Sequence, residues 1–91
     1  MGSEARVSLL ICDDHRVLTD ALKLVIETEG SMDLVAAPCP TPEQAVVLCE
    51  RLEPDVALMD FRFPGDMNGI EATRLIKQVS PTTKVVIMTA H

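Results

Sequence analysis

Four short apolar runs, separated by amphipathic stretches, constrain this chain more than any other feature. The first, Val7 to Cys12, is nearly continuous and stops at Asp13 and Asp14, the pattern of a strand covered on both faces. From His15 to Glu29, Val17, Leu18, Ala21, Leu22, Val25 and Ile26 recur at three- and four-residue steps, and Gly30 follows where a helix ends. Met32 to Ala37 predicts a second strand, nearer an edge because Pro38 and Pro40 follow it. Thr41 then reads as an N-cap, with Pro42 at the first helical position and Gln44 placed to reach back as in a capping box, opening a helix to about Leu52. Pro54 breaks that helix. Asp55 to Met59 predicts a third strand ending at Asp60, and Asn68 with Glu71 caps a third helix whose apolar face is Ile70, Ala72, Leu75, Ile76 and Val79. Pro81 stops it, and Lys84 to Met88 is a fourth strand. The order β-α-β-α-β-α-β with short connections calls for a parallel sheet, right-handed crossovers and helices on both faces.

Composition removes several function classes. With 47% hydrophobic and 24% charged residues the chain is globular, and 91 residues fit one small domain. Fourteen acidic against eight basic side chains give a net charge of −6, the wrong sign for a nucleic-acid backbone or an anionic membrane. No apolar run approaches the roughly 20 residues of a bilayer span, and Met1 to Ala5 lacks the features of a secretory signal, so a cytoplasmic protein is expected. Cys12, Cys39 and Cys49 are odd in number and lack CxxC spacing; they read as buried core thiols with no redox or metal role. The methionines read as core gap fillers, and with Phe61 and Phe63 the only aromatics the core rests on Val, Leu, Ile, Ala and Met.

In an open parallel sheet, ligands sit beyond the carboxyl ends of the strands. There the first strand offers Asp13 and Asp14, the third Asp60 and the fourth Thr89. Polar residues are common where strands run into loops, and Asp14 could simply cap the first helix. Yet if strands one and three are neighbours, three carboxylates converge, and a divalent cation or raised pKa values would relieve their repulsion. Oxygen-only ligands point to a hard ion, and Mg²⁺ suits a few carboxylates with water and a phosphate. His15 reads as a helix-starting residue at the rim and not as a ligand.

Asp13-Asp14-His15 after an apolar strand, Asp60 after Val-Ala-Leu-Met, Phe-Arg-Phe-Pro, Asn68-Gly69-Ile70-Glu71-Ala72-Thr73, and Val-Val-Ile-Met-Thr89-Ala90-His91 together resemble the receiver domain of bacterial two-component response regulators. The closest wording is that of the branch whose receivers precede a LuxR-type helix-turn-helix domain, and the resemblance runs from Val7 onward. It implies a flavodoxin-like, doubly wound α/β fold of strand order 2-1-3-4-5. It also implies a phosphoacceptor domain with no enzymatic turnover of its own. Asp60 would take a phosphoryl group from a sensor histidine kinase. Asp14 would be a direct Mg²⁺ ligand, Asp13 would hold the ion through water, and Asp60 and the Arg62 backbone carbonyl would complete the site. Thr89 would be the switch hydroxyl and Ala90 the small residue beside it.

Departures from that pattern set further expectations. The family's fifth strand, the helices on either side of it and a phosphoryl-binding lysine lie beyond His91, so the chain reads as a residue 1–6 tail followed by an incomplete receiver at 7–91. Lys77 and Lys84 stand at the wrong ends of their elements to replace that lysine. There is one extra residue between Pro64 and Gly69, and Pro38 and Pro40 replace a usual turn. An unpaired fourth strand and an uncovered helix face would favour self-association. The alternative reading is accordingly a truncated, phosphorylation-incompetent module that oligomerises. A phosphohydrolase is disfavoured because Arg62 stands where a second acid would be needed, and a dinucleotide binder because acids replace the Gly-rich loop.

Overall fold

A computed structural model describes residues 6–88. Its elements are β1 (Val7–Cys12), α1 (Arg16–Glu29), β2 (Met32–Leu34), α2 (Pro42–Leu52), β3 (Val56–Asp60), α3 (Gly69–Val79) and β4 (Lys84–Met88). All strands are parallel in one sheet of order β2-β1-β3-β4, so β1 and β3 are neighbours. This is the flavodoxin-like arrangement, with its two central strands buried.

Alternation along the strands explains the layers. Leu10, Cys12, Ala57 and Met59 face one way and pack with Ala45 and Cys49 of α2 and Ala72 and Ile76 of α3. Leu9 and Ile11 face the other way and pack with Ile26 and Leu22 of α1. Among the described residues, two helices therefore cover one face and α1 alone serves the other.

The capping chemistry is as the sequence indicates, with one difference. The Asn68 side chain accepts from the Glu71 N–H at 2.9 Å and Glu71 accepts from the Asn68 N–H at 3.1 Å, a complete capping box. Thr41 accepts from the Gln44 N–H at 3.3 Å behind Pro42, but among the described residues Gln44 makes no reciprocal bond. Gly30 ends α1 at φ 89°, a conformation that suits glycine.

Three sequence expectations need correction. The second strand is three residues long, because pairing stops at Leu9↔Leu34 and the chain bends before rejoining β1 at the single bridge Cys12↔Cys39. On α1, Ile26 is buried, but Val17 and Val25 are 86% and 57% exposed, since the sheet reaches only part of the helix's apolar surface. Ile70 likewise lies in the exposed first turn of α3, where Gly69, Ala72 and Ile76 take the buried face. Just before β1, Arg6 donates to both carboxylate oxygens of Asp33 at 2.7 Å.

Opposite the carboxyl ends of the strands, Asp55 fixes the start of the β1–β3 pairing. Its Oδ2 accepts from the Ser8 N–H at 2.9 Å and the Ser8 hydroxyl at 3.0 Å, while the Asp55 N–H donates to Ser8 Oγ at 2.8 Å. The backbone and hydroxyl bonds from Ser8 hold the Asp55 carboxyl below its ordinary pKa of 3.8. A lowered folded value means that this stabilisation is complete above the ordinary pKa and is lost as pH falls through the folded one. The stability gap between wild type and Asp55→Asn should therefore be widest near neutrality and close in acid, as read from urea midpoints across pH.

Candidate functional site

Each acid reaches the site for a local reason. Asp13 directly follows β1, and its N–H donates to the Cys39 carbonyl at 3.0 Å. Its side chain, 1% exposed, turns back so that Oδ1 accepts from the His15 N–H at 2.8 Å. That bond serves the first turn of α1, whose N-cap is His15 with no side-chain cap of its own. Asp14 is not the cap; its side chain is 36% exposed at the mouth.

Asp60 closes β3. The Phe61 N–H donates to the Met88 carbonyl at 2.9 Å and the Gly69 N–H to the Phe61 carbonyl at 3.2 Å, so β4 and α3 clamp the residue after it. Gly69 is buried, and a Cβ there would press into the Asp60 carbonyl oxygen and stand 3.1 Å from the Phe61 Cα. Space, not backbone conformation, demands glycine at this position.

The three acids converge as the sequence indicates. One ligand atom each from Asp13, Asp14, His15 and Asp60 lies within 4.8 Å of the others. Asp60 is 4% exposed, its Oδ1 accepts weakly from the Arg62 N–H at 3.4 Å, and its Oδ2 is buried without a hydrogen-bond partner. An orphaned, buried carboxylate oxygen is costly unless something binds it. Carboxylate oxygens around that orphan form a hard donor set, so these residues fit a hard divalent cation.

His15 is the residue the sequence undervalued. Its Nδ1 stands 2.7 Å from Asp13, 3.3 Å from Asp14 and 3.7 Å from Asp60. The bond and charge of Asp13, aided by Asp14 and Asp60, raise the imidazole pKa above its ordinary value. It is the only basic side chain within ion-pairing distance of these acids among the described residues. The Asp-Asp-His run was the available signal, since a helix starting directly after two acids folds the third residue back over them.

Other site expectations divide. The Arg62 backbone follows Asp60 by two residues, and Thr89 and Ala90 lie outside the described residues. Lys77 Nζ donates to the Thr83 and Pro81 carbonyls at 2.8 and 3.1 Å, and Lys84 opens β4, so both lysines occupy the end of the sheet away from the acids. No helix among the described residues is long and apolar enough to cross a membrane.

Comparison with known proteins agrees with this geometry. The model of the response regulator receiver domain matches residues 9–91. The transcriptional regulatory protein DegU of Brevibacillus brevis is 36% identical over 98% of this chain, and the nitrate/nitrite response regulator NarL of Escherichia coli K12 is 30% identical over 96%. The chain spans 37% and 39% of the length of those two relatives. Among solved structures, the signal receiver domain of the putative response regulator NarL from Mycobacterium tuberculosis superposes with a TM-score of 0.86 at 27% identity, covering 97% of this chain and 69% of that one. A LuxR-family regulator from Aurantimonas sp. SI85-9A1 gives 0.83 at 30% identity, covering 94% and 60%. By sequence, fold and the placement of its acids, this chain belongs to the response regulator receiver family of two-component systems.

Proposed function

We propose that Asp60 is a phosphoacceptor that takes a phosphoryl group from the phosphohistidine of a sensor kinase, as the input of a transcriptional regulator like those it matches. The observation that carries this reading is the buried Asp60 Oδ2, which has no hydrogen-bond partner and lies among two further acids and the His15 imidazole. An Asp60 carboxylate oxygen would supply the electron pair for the new P–O bond. The P–N bond of the donor would break, its nitrogen leaving with the electron pair, and an acyl phosphate would remain. Burial shields that nucleophile from water, and the clamp of β4 and Gly69 on Phe61 steadies the backbone that carries it.

Asp14 and Asp60, with Asp13 acting through water and the Arg62 carbonyl, would hold Mg²⁺. When bound, the ion supplies neutralisation for the acids and the phosphoryl oxygens. Thr89 would act as the switch hydroxyl and Ala90 would leave room beside it. A cytoplasmic location accords with this role.

Intact mass after incubation with Mg²⁺ and a small phosphodonor tests the proposal. A single phosphoryl adduct is expected, absent in Asp60→Asn and absent without the cation. A second reading is favoured by β4, which is an edge of the described sheet and carries Val86 at 47% exposure. On that reading a second copy pairs with the edge and no phosphoryl transfer occurs. A folded protein that sediments as a dimer and takes no adduct would support it and overturn the first.

A further inference from the structure

The odd cysteine count and absent CxxC spacing suggested inert thiols, but strand register brings two of them together. Cys12 is the last residue of β1, and Cys39 lies between Pro38 and Pro40 in the segment that leaves β2. The Cys39 N–H donates to the Ile11 carbonyl at 2.9 Å and the Asp13 N–H donates to the Cys39 carbonyl at 3.0 Å. These bonds bracket Cys12 and make the two cysteines direct parallel partners. Directly opposed residues project to the same side of a sheet, and both thiols belong to the core cluster under α2.

Distance and compliance both permit a crosslink. Neighbouring strands lie about 4.8 Å apart, inside the roughly 4.4–6.8 Å that disulfides span between Cα atoms. The bridge is isolated, so Cys39 can move toward Cys12 without dragging a ladder. Each thiol now donates only a weak bond, Cys12 to the Thr41 carbonyl at 3.2 Å and Cys39 to the Ile11 carbonyl at 3.4 Å. Cys49 sits within α2 and has no part in this strand register.

We propose that Cys12 and Cys39 form a reversible intrachain disulfide, and that it adjusts the acidic site through the bond from the Asp13 N–H to the Cys39 carbonyl. Hydrogen peroxide is a sufficient oxidant: one sulfur takes an oxygen to become a sulfenic acid as water leaves, and the other thiol displaces that oxygen as a second water. One S–S bond forms, two S–H bonds and the peroxide O–O bond break, and a dithiol reductant reverses the change. Both thiols are buried, so the reaction runs through opening of residues 35–40, which have few backbone bonds to the sheet. Closing the S–S bond draws Cys39 toward β1 and repositions the carbonyl that holds Asp13. The disulfide stands independently of phosphoryl transfer.

The test oxidises the folded chain with hydrogen peroxide, alkylates free thiols, and maps peptides without reduction. A loss of two hydrogens and a Cys12–Cys39 linked peptide are expected, reversed by dithiothreitol, retained in Cys49→Ala and abolished in Cys39→Ala. Should Cys39→Ala fail to fold, Cys12→Ala reports the same loss. Mg²⁺ affinity, read by thermal shift, should fall about tenfold on oxidation, the scale for losing a residue that orients a ligand. No link in folded protein, or a link through Cys49 or between chains, would overturn the disulfide. A Cys12–Cys39 link with unchanged Mg²⁺ affinity would overturn its coupling to the site.

Discussion

Replacing Gly69 with alanine should destabilise the protein by about 2–3 kcal/mol, the upper range for forcing atoms into a packed interior. The new methyl group has nowhere to go. It would press on the Asp60 carbonyl oxygen and crowd the Phe61 Cα. β3 cannot retreat, because it pairs on one side with β1 and on the other with β4. Nor can α3 slide easily, since its first N–H, that of Gly69, is bonded to the Phe61 carbonyl and Ala72 and Ile76 are buried beneath it. Urea unfolding reads the loss directly. Because the strained atoms are the backbone of Asp60 and Phe61, phosphoryl uptake should also fall in the fraction that remains folded. A neutral alanine would mean that α3 shifts freely and that the site tolerates its movement.

Asp14→Asn is expected to move stability and cation binding in opposite directions. Asp13, Asp14 and Asp60 share one imidazole within ion-pairing distance, so the cluster carries unrelieved repulsion. Asp14 is the acid to remove because its side chain is partly exposed and its one ion-pair contact is His15 at 3.3 Å, whereas removing Asp13 would also break the bond to the His15 N–H. Like charges about 4 Å apart repel by roughly 1 kcal/mol in water, and exposure keeps Asp14 near that limit. Cation-free Asp14→Asn should accordingly gain on the order of 1 kcal/mol at low salt. With Asp14 a Mg²⁺ ligand as proposed, its loss should weaken binding by about 100-fold. Thermal shift with and without Mg²⁺ measures both: the variant should melt higher alone and gain less from the ion.

The fold was legible because buried parallel strands write themselves as short apolar runs, and Val-Ser-Leu-Leu-Ile-Cys or Val-Ala-Leu-Met admits few other readings. The three acids were legible for a related reason, since each ends or follows a strand that the topology aligns with the next. Register was not legible. Val35, Ala36 and Ala37 are apolar enough for a strand, yet pairing ends at Leu34 and resumes for one residue at Cys39, which no periodicity reveals. The same hidden register conceals the Cys12–Cys39 pairing. Helical periodicity shows which positions are apolar but not how far the sheet extends beneath them, so Val17, Val25 and Ile70 fall in the apolar pattern although they are exposed. The Gly69 contact and the His15 imidazole depend on how a helix start folds against a strand end, a tertiary fact that local pattern does not encode.

Chemical trapping of the acyl phosphate tests the central claim most directly. Borohydride reduces an acyl phosphate to an alcohol, so after incubation with Mg²⁺ and a small phosphodonor the modified carboxylate is permanently marked and can be located by peptide mass spectrometry. The account predicts the mark on the peptide carrying Asp60, at Asp60 alone. A mark on Asp13 or Asp14, or no mark in folded protein with the cation present, would contradict it.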